Sequence, residues 1–219
     1  MRISETAVYA QKDGMKKRYL TCFFIILTVA CTHRQVAREC TTYAEAPDPA
    51  PDSLANWAEV KHGLHATVGS IDRRYAKSSV PDEEIQKSWE GSAWRGERIS
   101  AQLVLWGREA NKQITCEFSD FKSSGGESFP ASAAQARFVR YVVTDEFADG
   151  CGKRQPQDYA ASLSPDVLDP LGCFDMEPKT TRPLWISIDV PSNAAPGTYI
   201  STMQLFAAGK KRHSFKFQV

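Results

Sequence analysis

The chain lacks an excess of charge of either sign: 27 basic side chains stand against 26 acidic ones over 219 residues, for a net charge of +1. A balance of that kind leaves no basic footprint for nucleic acid, which is held through its phosphates. Histidine is scarce, with four in the chain, and His62 with His65 cannot by themselves close a tetrahedral metal site. The stretch Ser123-Ser124-Gly125-Gly126 has no Lys-Ser or Lys-Thr after it, so it reads as a flexible turn rather than a phosphate loop. No cofactor motif remains, and neither cofactor nor metal is expected. Helical periodicity is scarce too; only the acidic PDEEI at 81–85 resembles a helix start.

A long apolar run is also missing. Met15-Lys16-Lys17-Arg18 precedes an apolar stretch at 20–30, shorter than the roughly 20 apolar residues a spanning helix needs. A basic start, a short apolar segment and then Cys31 read as a secretory signal over 1–30, with a translation start placed too early to account for the polar residues before Met15. Leu27-Thr28-Val29-Ala30-Cys31 is similar to a bacterial lipobox, which makes Cys31 a candidate lipid attachment. The expected location is the cell envelope, lipid-anchored on its periplasmic or outer-membrane side, with plain secretion as the alternative. Residues 31–56, including AEAPDPAPDS at 44–53, have no apolar period to bury and are expected to form a flexible tether.

Six cysteines are present, and setting aside Cys22 in the apolar stretch and Cys31 leaves Cys40, Cys116, Cys151 and Cys173. Four thiols allow three pairings. Cys151 and Cys173 flank one loop-rich stretch and are the preferred disulfide. Cys116 shares an apolar face with Ile114 and Phe118 and reads as a buried free thiol.

What the chain has in quantity is alternation. In 183–190, Leu184, Ile186, Ile188 and Val190 fall on one side, with Trp185, Ser187 and Asp189 on the other. In 99–106, Ile99, Ala101, Leu103 and Leu105 oppose Ser100, Gln102, Val104 and Trp106. Further runs at 65–72, 113–118, 137–144, 198–206 and 214–219 bring the expected strands to seven, which with the turn signals between them predicts an all-β, antiparallel β-sandwich over 57–219. The residues 151–179 read as a long inter-strand excursion. Lys210-Lys211-Arg212, after Gly209, reads as a charged hairpin tip.

Several segments together resemble the N-terminal domain of glycoside hydrolase family 123. They are Gly63-Leu64-His65 through Ser70-Ile71-Asp72, WRGERISAQLVLW at 94–106, FVRYVVTDEF at 138–147, Cys151-Gly152, and RPLWISIDVP at 182–191 with PGTY at 196–199. The resemblance implies an immunoglobulin-like sandwich that precedes a catalytic barrel, in an exported carbohydrate-active protein whose family activity is β-N-acetylgalactosaminide hydrolysis. It also implies that the catalytic residues belong to the barrel, so that this chain is non-catalytic alone and has the missing barrel domain as its partner. Alternatives are a free-standing carbohydrate-binding module and a cell-envelope adhesion module.

The adjacent carboxylates Asp145-Glu146 invite a catalytic reading, since the family pairs an acid Glu with an orienting Asp. The pair ends a sandwich strand, where neighbours point to opposite faces, so the expectation is a solvated or paired strand end or an inter-domain contact. Among the tryptophans, Trp106 and Trp185 read as core or inter-domain contacts. Trp89 and Trp94, in SWEGSAWRGER at 88–98, are the candidates for a glycan platform, with Arg95 beside them.

Overall fold

The computed structural model describes Cys40 and residues 44–145, 160–169 and 171–219. Glu146, Cys151 and Cys31 lie outside the described residues, as does the expected signal segment. All described residues belong to one compact unit, Ala37–Val219.

The described residues form strands and no α-helix. In chain order the strands are β1 (His65–Gly69), β2 (Ser88–Glu90), β3 (Arg98–Gly107), β4 (Asn111–Phe118), β5 (Phe121–Ser123), β6 (Ser128–Phe129), β7 (Ala134–Thr144), β8 (Ser162–Leu168), β9 (Cys173–Met176), β10 (Thr180–Asp189), β11 (Tyr199–Ala207) and β12 (Lys210–Gln218). One sheet has the order β1-β3-β10-β7-β8; the other has β2-β12-β11-β4-β9, with β5 pairing β11 and β6. Every pair is antiparallel except β2 with β12. The seven strands expected from alternation are all present.

The period-2 pattern sets the core. Ala101, Leu103 and Leu105 of β3 and Leu184, Ile186 and Ile188 of β10 are buried in the same cluster as Met203 and Leu205 of β11 and Phe215 and Phe217 of β12. Phe138 of the first sheet stacks on Phe174 of the second, with ring centroids 5.2 Å apart. The two sheets therefore share one core, a sandwich-like arrangement, and each buried aromatic or aliphatic side chain contributes on the order of 2 kcal/mol. Pro183 lies in β10, yet the ladder to β7 begins only at Leu184. Its missing N–H therefore falls outside that ladder.

A smaller apolar cluster lies on the outer face of the first sheet, where Val104 and Trp106 meet Trp57, Val60 and Tyr75 from the segment flanking β1. That segment is stitched down by polar contacts: Trp57 Nε1 donates to the Ser78 carbonyl at 3.0 Å, and the Thr181 hydroxyl donates to the Ser79 carbonyl at 2.6 Å. It covers part of the sheet's outer face, over β3 and the start of β10.

Four expectations are corrected. The residues 151–179 are not a plain excursion, since β8 and β9 lie within them; Pro165 is tolerated because β8 is an edge strand, bonded on one side only. PDEEI does not start a helix: Asp82 and Glu83 turn to Arg73, at 2.7 and 2.9 Å, and the segment takes no helical turn. The β11–β12 turn is Ala208-Gly209, both at positive φ, so Lys210-Lys211-Arg212 begins β12 rather than capping the hairpin. Cys173 pairs with Cys40, not with Cys151: the Cα atoms of Cys40 and Cys173 are 5.0 Å apart, within reach of a bridge.

Candidate functional site

The disulfide has a companion that overturns the tether for its second half. Glu45 is drawn onto the end of the sandwich, where its carboxylate accepts from Arg182 at 2.5 and 2.8 Å, from Lys77 at 2.9 Å and from the Tyr141 backbone N–H at 2.9 Å. Arg182 is buried and also donates to the Val139 carbonyl at 2.7 Å, with its guanidinium over the rings of Tyr141 and Phe174. Burial alone would raise the Glu45 pKa, but the Arg182 hydrogen bonds and charge, with Tyr141 and Lys77, outweigh it and hold the carboxyl down at about 2. The cleft beside this cluster is small, about 90 Å³, and the carboxylate is saturated by protein donors; the cluster acts as a fastening.

The opposite end of β10 carries the loop at 91–97. Gly91 donates to the Gln218 carbonyl at 3.0 Å, tying the loop's start to the end of β12. Gly96 donates to the Val190 carbonyl at 3.0 Å while Val190 donates to the Glu97 carbonyl at 2.9 Å, and Arg98 grips Asp189 with two hydrogen bonds. Within the loop the Trp94 N–H donates to the Glu97 carboxylate at 2.6 Å, and the Glu97 N–H returns to the Trp94 carbonyl at 3.1 Å. The backbone is thus pinned from three sides, yet the Trp94 residue is 83% exposed. Trp94 is thus a large aromatic held in water on a fixed frame.

Sequence reasoning placed Trp89, Trp94 and Arg95 together, and the structure separates them by role. Trp94 and its neighbour Arg95 are exposed. Trp89 packs on Phe217, centroids 5.7 Å apart, against the main core, and a Cβ at Gly91 would come within 2.3 Å of its ring. It is a rim of the core rather than a free platform. Trp106 is buried and stacked on His65, as expected of a structural residue. Trp185 is half-buried on the outer face of β10. Asp145 follows β7, half-buried, and Arg140 engages the buried Asp169 at 3.0 and 3.1 Å.

The reading from sequence missed Glu45 and Arg182 altogether. Arg182 sits inside an apolar alternation, in phase with Leu184 and Ile186, and that phase is the one signal that could have marked it as a buried cation in need of a carboxylate. Among the described residues no group of three or more His, Cys, Asp or Glu is placed to hold a metal ion.

What these residues define is a two-sheet all-β domain with a fastened N-terminal strap and one rigid aromatic projection. Residues 68–207 match the Glycoside hydrolase 123 N-terminal domain, and the chain belongs to that family. Among solved structures it is similar to a family 123 glycoside hydrolase from Clostridium perfringens studied for glycolipid glycan hydrolysis, with a TM-score of 0.62 and 21% identity, over 71% of this chain and 26% of that one. The chain thus spans about a quarter of that enzyme's length, and at this identity the similarity establishes the fold. Looser matches are the PapD-like domain 7 of human CEP192, at a TM-score of 0.33, 12% identity and 85% and 94% coverage, and the N-terminal domain of PorA, at 0.31, 10%, 71% and 95%. No curated protein matches.

Proposed function

We propose that this chain is the non-catalytic, immunoglobulin-like N-terminal domain of an exported family 123 glycoside hydrolase, and that its work is to pack against and support a catalytic barrel. The observation that carries this is the family match over 68–207 together with a similarity confined to 26% of the Clostridium enzyme, so that in that enzyme the same sandwich is accompanied by much more chain. Trp94 supplies the contact: it stands on a loop bonded directly to β12, the last strand, where a following domain would emerge. Asp145 takes no part in this contact: β7 runs antiparallel to β10, so Asp145 follows its strand at the Arg182 end, away from Trp94. Hydrolysis of β-N-acetylgalactosaminides belongs, in this reading, to the barrel.

Export is supported by the Cys40–Cys173 bridge, since such disulfides persist in oxidising compartments. Lipid attachment at Cys31 completes the proposal and is tested by labelling with a palmitate analogue, which Cys31→Ala should abolish. The test of the main proposal is the nucleotide sequence beyond the Val219 codon. It should encode a barrel, in this frame or a shifted one close by; a gene with no such sequence overturns the assignment. The rival is a free-standing carbohydrate-binding or adhesion module that uses the exposed Trp94 face, and it predicts glycan-array binding that Trp94→Ala removes.

A further inference from the structure

The segment that covers the outer face of the five-stranded sheet meets β7 at Tyr141, whose hydroxyl donates to the Tyr75 carbonyl at 2.8 Å, and beside that contact the face holds a groove of about 290 Å³. Its floor is Trp185, half-exposed, lying across the sheet from Gln102 on one side and Arg137 on the other. Its walls are Ile71 and the Arg73-Arg74 pair from the loop after β1, and Asp166 from β8. We propose that this groove binds a neutral pyranose, one or two rings of a glycan, with a sugar C–H face on the Trp185 indole and its hydroxyls at the polar walls.

The polar walls are already fixed, which lowers the entropy that binding must supply. Gln102 Nε2 donates to the carbonyls of Ser70 and Arg73 at 2.6 and 3.0 Å, so its amide cannot rotate and presents its oxygen as an acceptor. Arg73 is held by Asp82 and Glu83 and lies over the Tyr75 ring. Asp166 is exposed on the facing wall and offers acceptors for hydroxyl protons. Charge decides the ligand's class: Arg73, Arg74 and the neighbouring Arg137 are matched by Asp82, Glu83 and Asp166, three charges of each sign, so neither a phosphate nor a carboxylate finds a net positive site. Ile71, 48% exposed at the rim, loses water when a ring enters. A half-apolar, half-polar slot of this size, at the small end of ligand sites, fits a molecule with one apolar face and an edge of hydroxyls.

The assignment stands on the groove itself; only the choice of probes rests on family membership. The full chain, labelled with nitrogen-15, is titrated with methyl β-galactoside, methyl β-N-acetylgalactosaminide and glucuronate while the indole N–H resonances of the five tryptophans are followed. The Trp185 resonance, identified as the one lost in Trp185→Phe, should shift saturably with at least one neutral glycoside at a Kd of about 1 mM. Trp185→Ala should abolish binding, Trp185→Tyr should retain part of it, and Asp166→Ala should weaken it about tenfold. Trp94→Ala should leave it unchanged. The inference is overturned if no neutral glycoside moves the Trp185 resonance by about 100 mM, roughly a hundredfold above that Kd. Binding that survives Trp185→Ala in a chain with native melting, or tighter binding of glucuronate than of either glycoside, overturns it as well. A barrel found or not found downstream of Val219 bears on the supporting role and leaves these outcomes unaffected.

Discussion

Arg182 holds both carboxylate oxygens of Glu45, a residue 137 positions earlier in the chain, and in doing so turns a stretch with the composition of a linker into part of the fold. Breaking one side of such a buried pair strands the other charge, which costs about 3–5 kcal/mol. Glu45→Ala should therefore lower the denaturant midpoint clearly, and Glu45→Gln, which keeps hydrogen-bonding capacity, should cost less. Chemical denaturation of the two variants separates these outcomes; equal midpoints for Glu45→Ala and the parent would remove the fastening role.

The same pair sets an acid limit. Glu45 has its carboxyl lowered from 4.5 to about 2 in the folded state, so its contribution is fully present above the unfolded value and is lost as pH falls toward the folded one. Stability should drop between about pH 5 and pH 2, by roughly 3 kcal/mol from this group. In Glu45→Gln that part of the acid limb should be flat. Thermal melts across the range provide the check.

Cys40–Cys173 closes 133 residues of chain, for which the chain-entropy estimate is about 5 kcal/mol, with measured bridges often giving 2–4. Cys40→Ser and Cys173→Ser should destabilise alike, and reduction of the parent should match them. Limited proteolysis should then cut in 44–56, which resists cleavage while the bridge is closed. Unchanged melting in both variants would be the contrary result.

Trp94→Ala should shift the midpoint of this chain by no more than about 0.5 kcal/mol, because the side chain is in water. Gly91→Ala should cost about 1–3 kcal/mol, since its Cβ would collide with a Trp89 ring already packed on Phe217. The pair of variants distinguishes an aromatic kept for contact from one kept for packing.

Cys116 carries the one free thiol among the described residues; the residue is half-buried rather than fully buried, its side chain packs against the main core, and burial pushes its pKa up to about 12. With almost no thiolate at neutral pH, it should resist iodoacetamide in the native protein and react on unfolding. Mass spectrometry of alkylated native protein reads this directly.

How much of this was legible beforehand depended on whether the determining contacts were local. The long strands were, because Ile99 to Trp106 and Leu184 to Val190 write their two faces in strict alternation. β8 was not: SLSPDVL carries a proline and an aspartate that are acceptable only because the strand is an edge, a fact of topology. Nor was the strap, whose single glutamate in a run of Ala, Pro and Asp gives no local sign of a partner in β10. Trp185 was placed on the correct face by its phase with Ser187. Whether that face was covered depended on how far the segment around Tyr75 reaches, which no periodicity records.

The strap and the Trp94 loop sit near opposite ends of β10, at Arg182 and at Asp189, about 23 Å apart at the usual strand rise. Tension applied upstream of Cys40 would pass through the sulfur bridge into β9, an edge strand laddered to β4, and through Glu45 into the start of β10. The sandwich thereby acts as a strut: load taken at one end is borne by a covalent bond and a buried ion pair, and the far end, with its projecting indole, is held off at a fixed distance from whatever pulls.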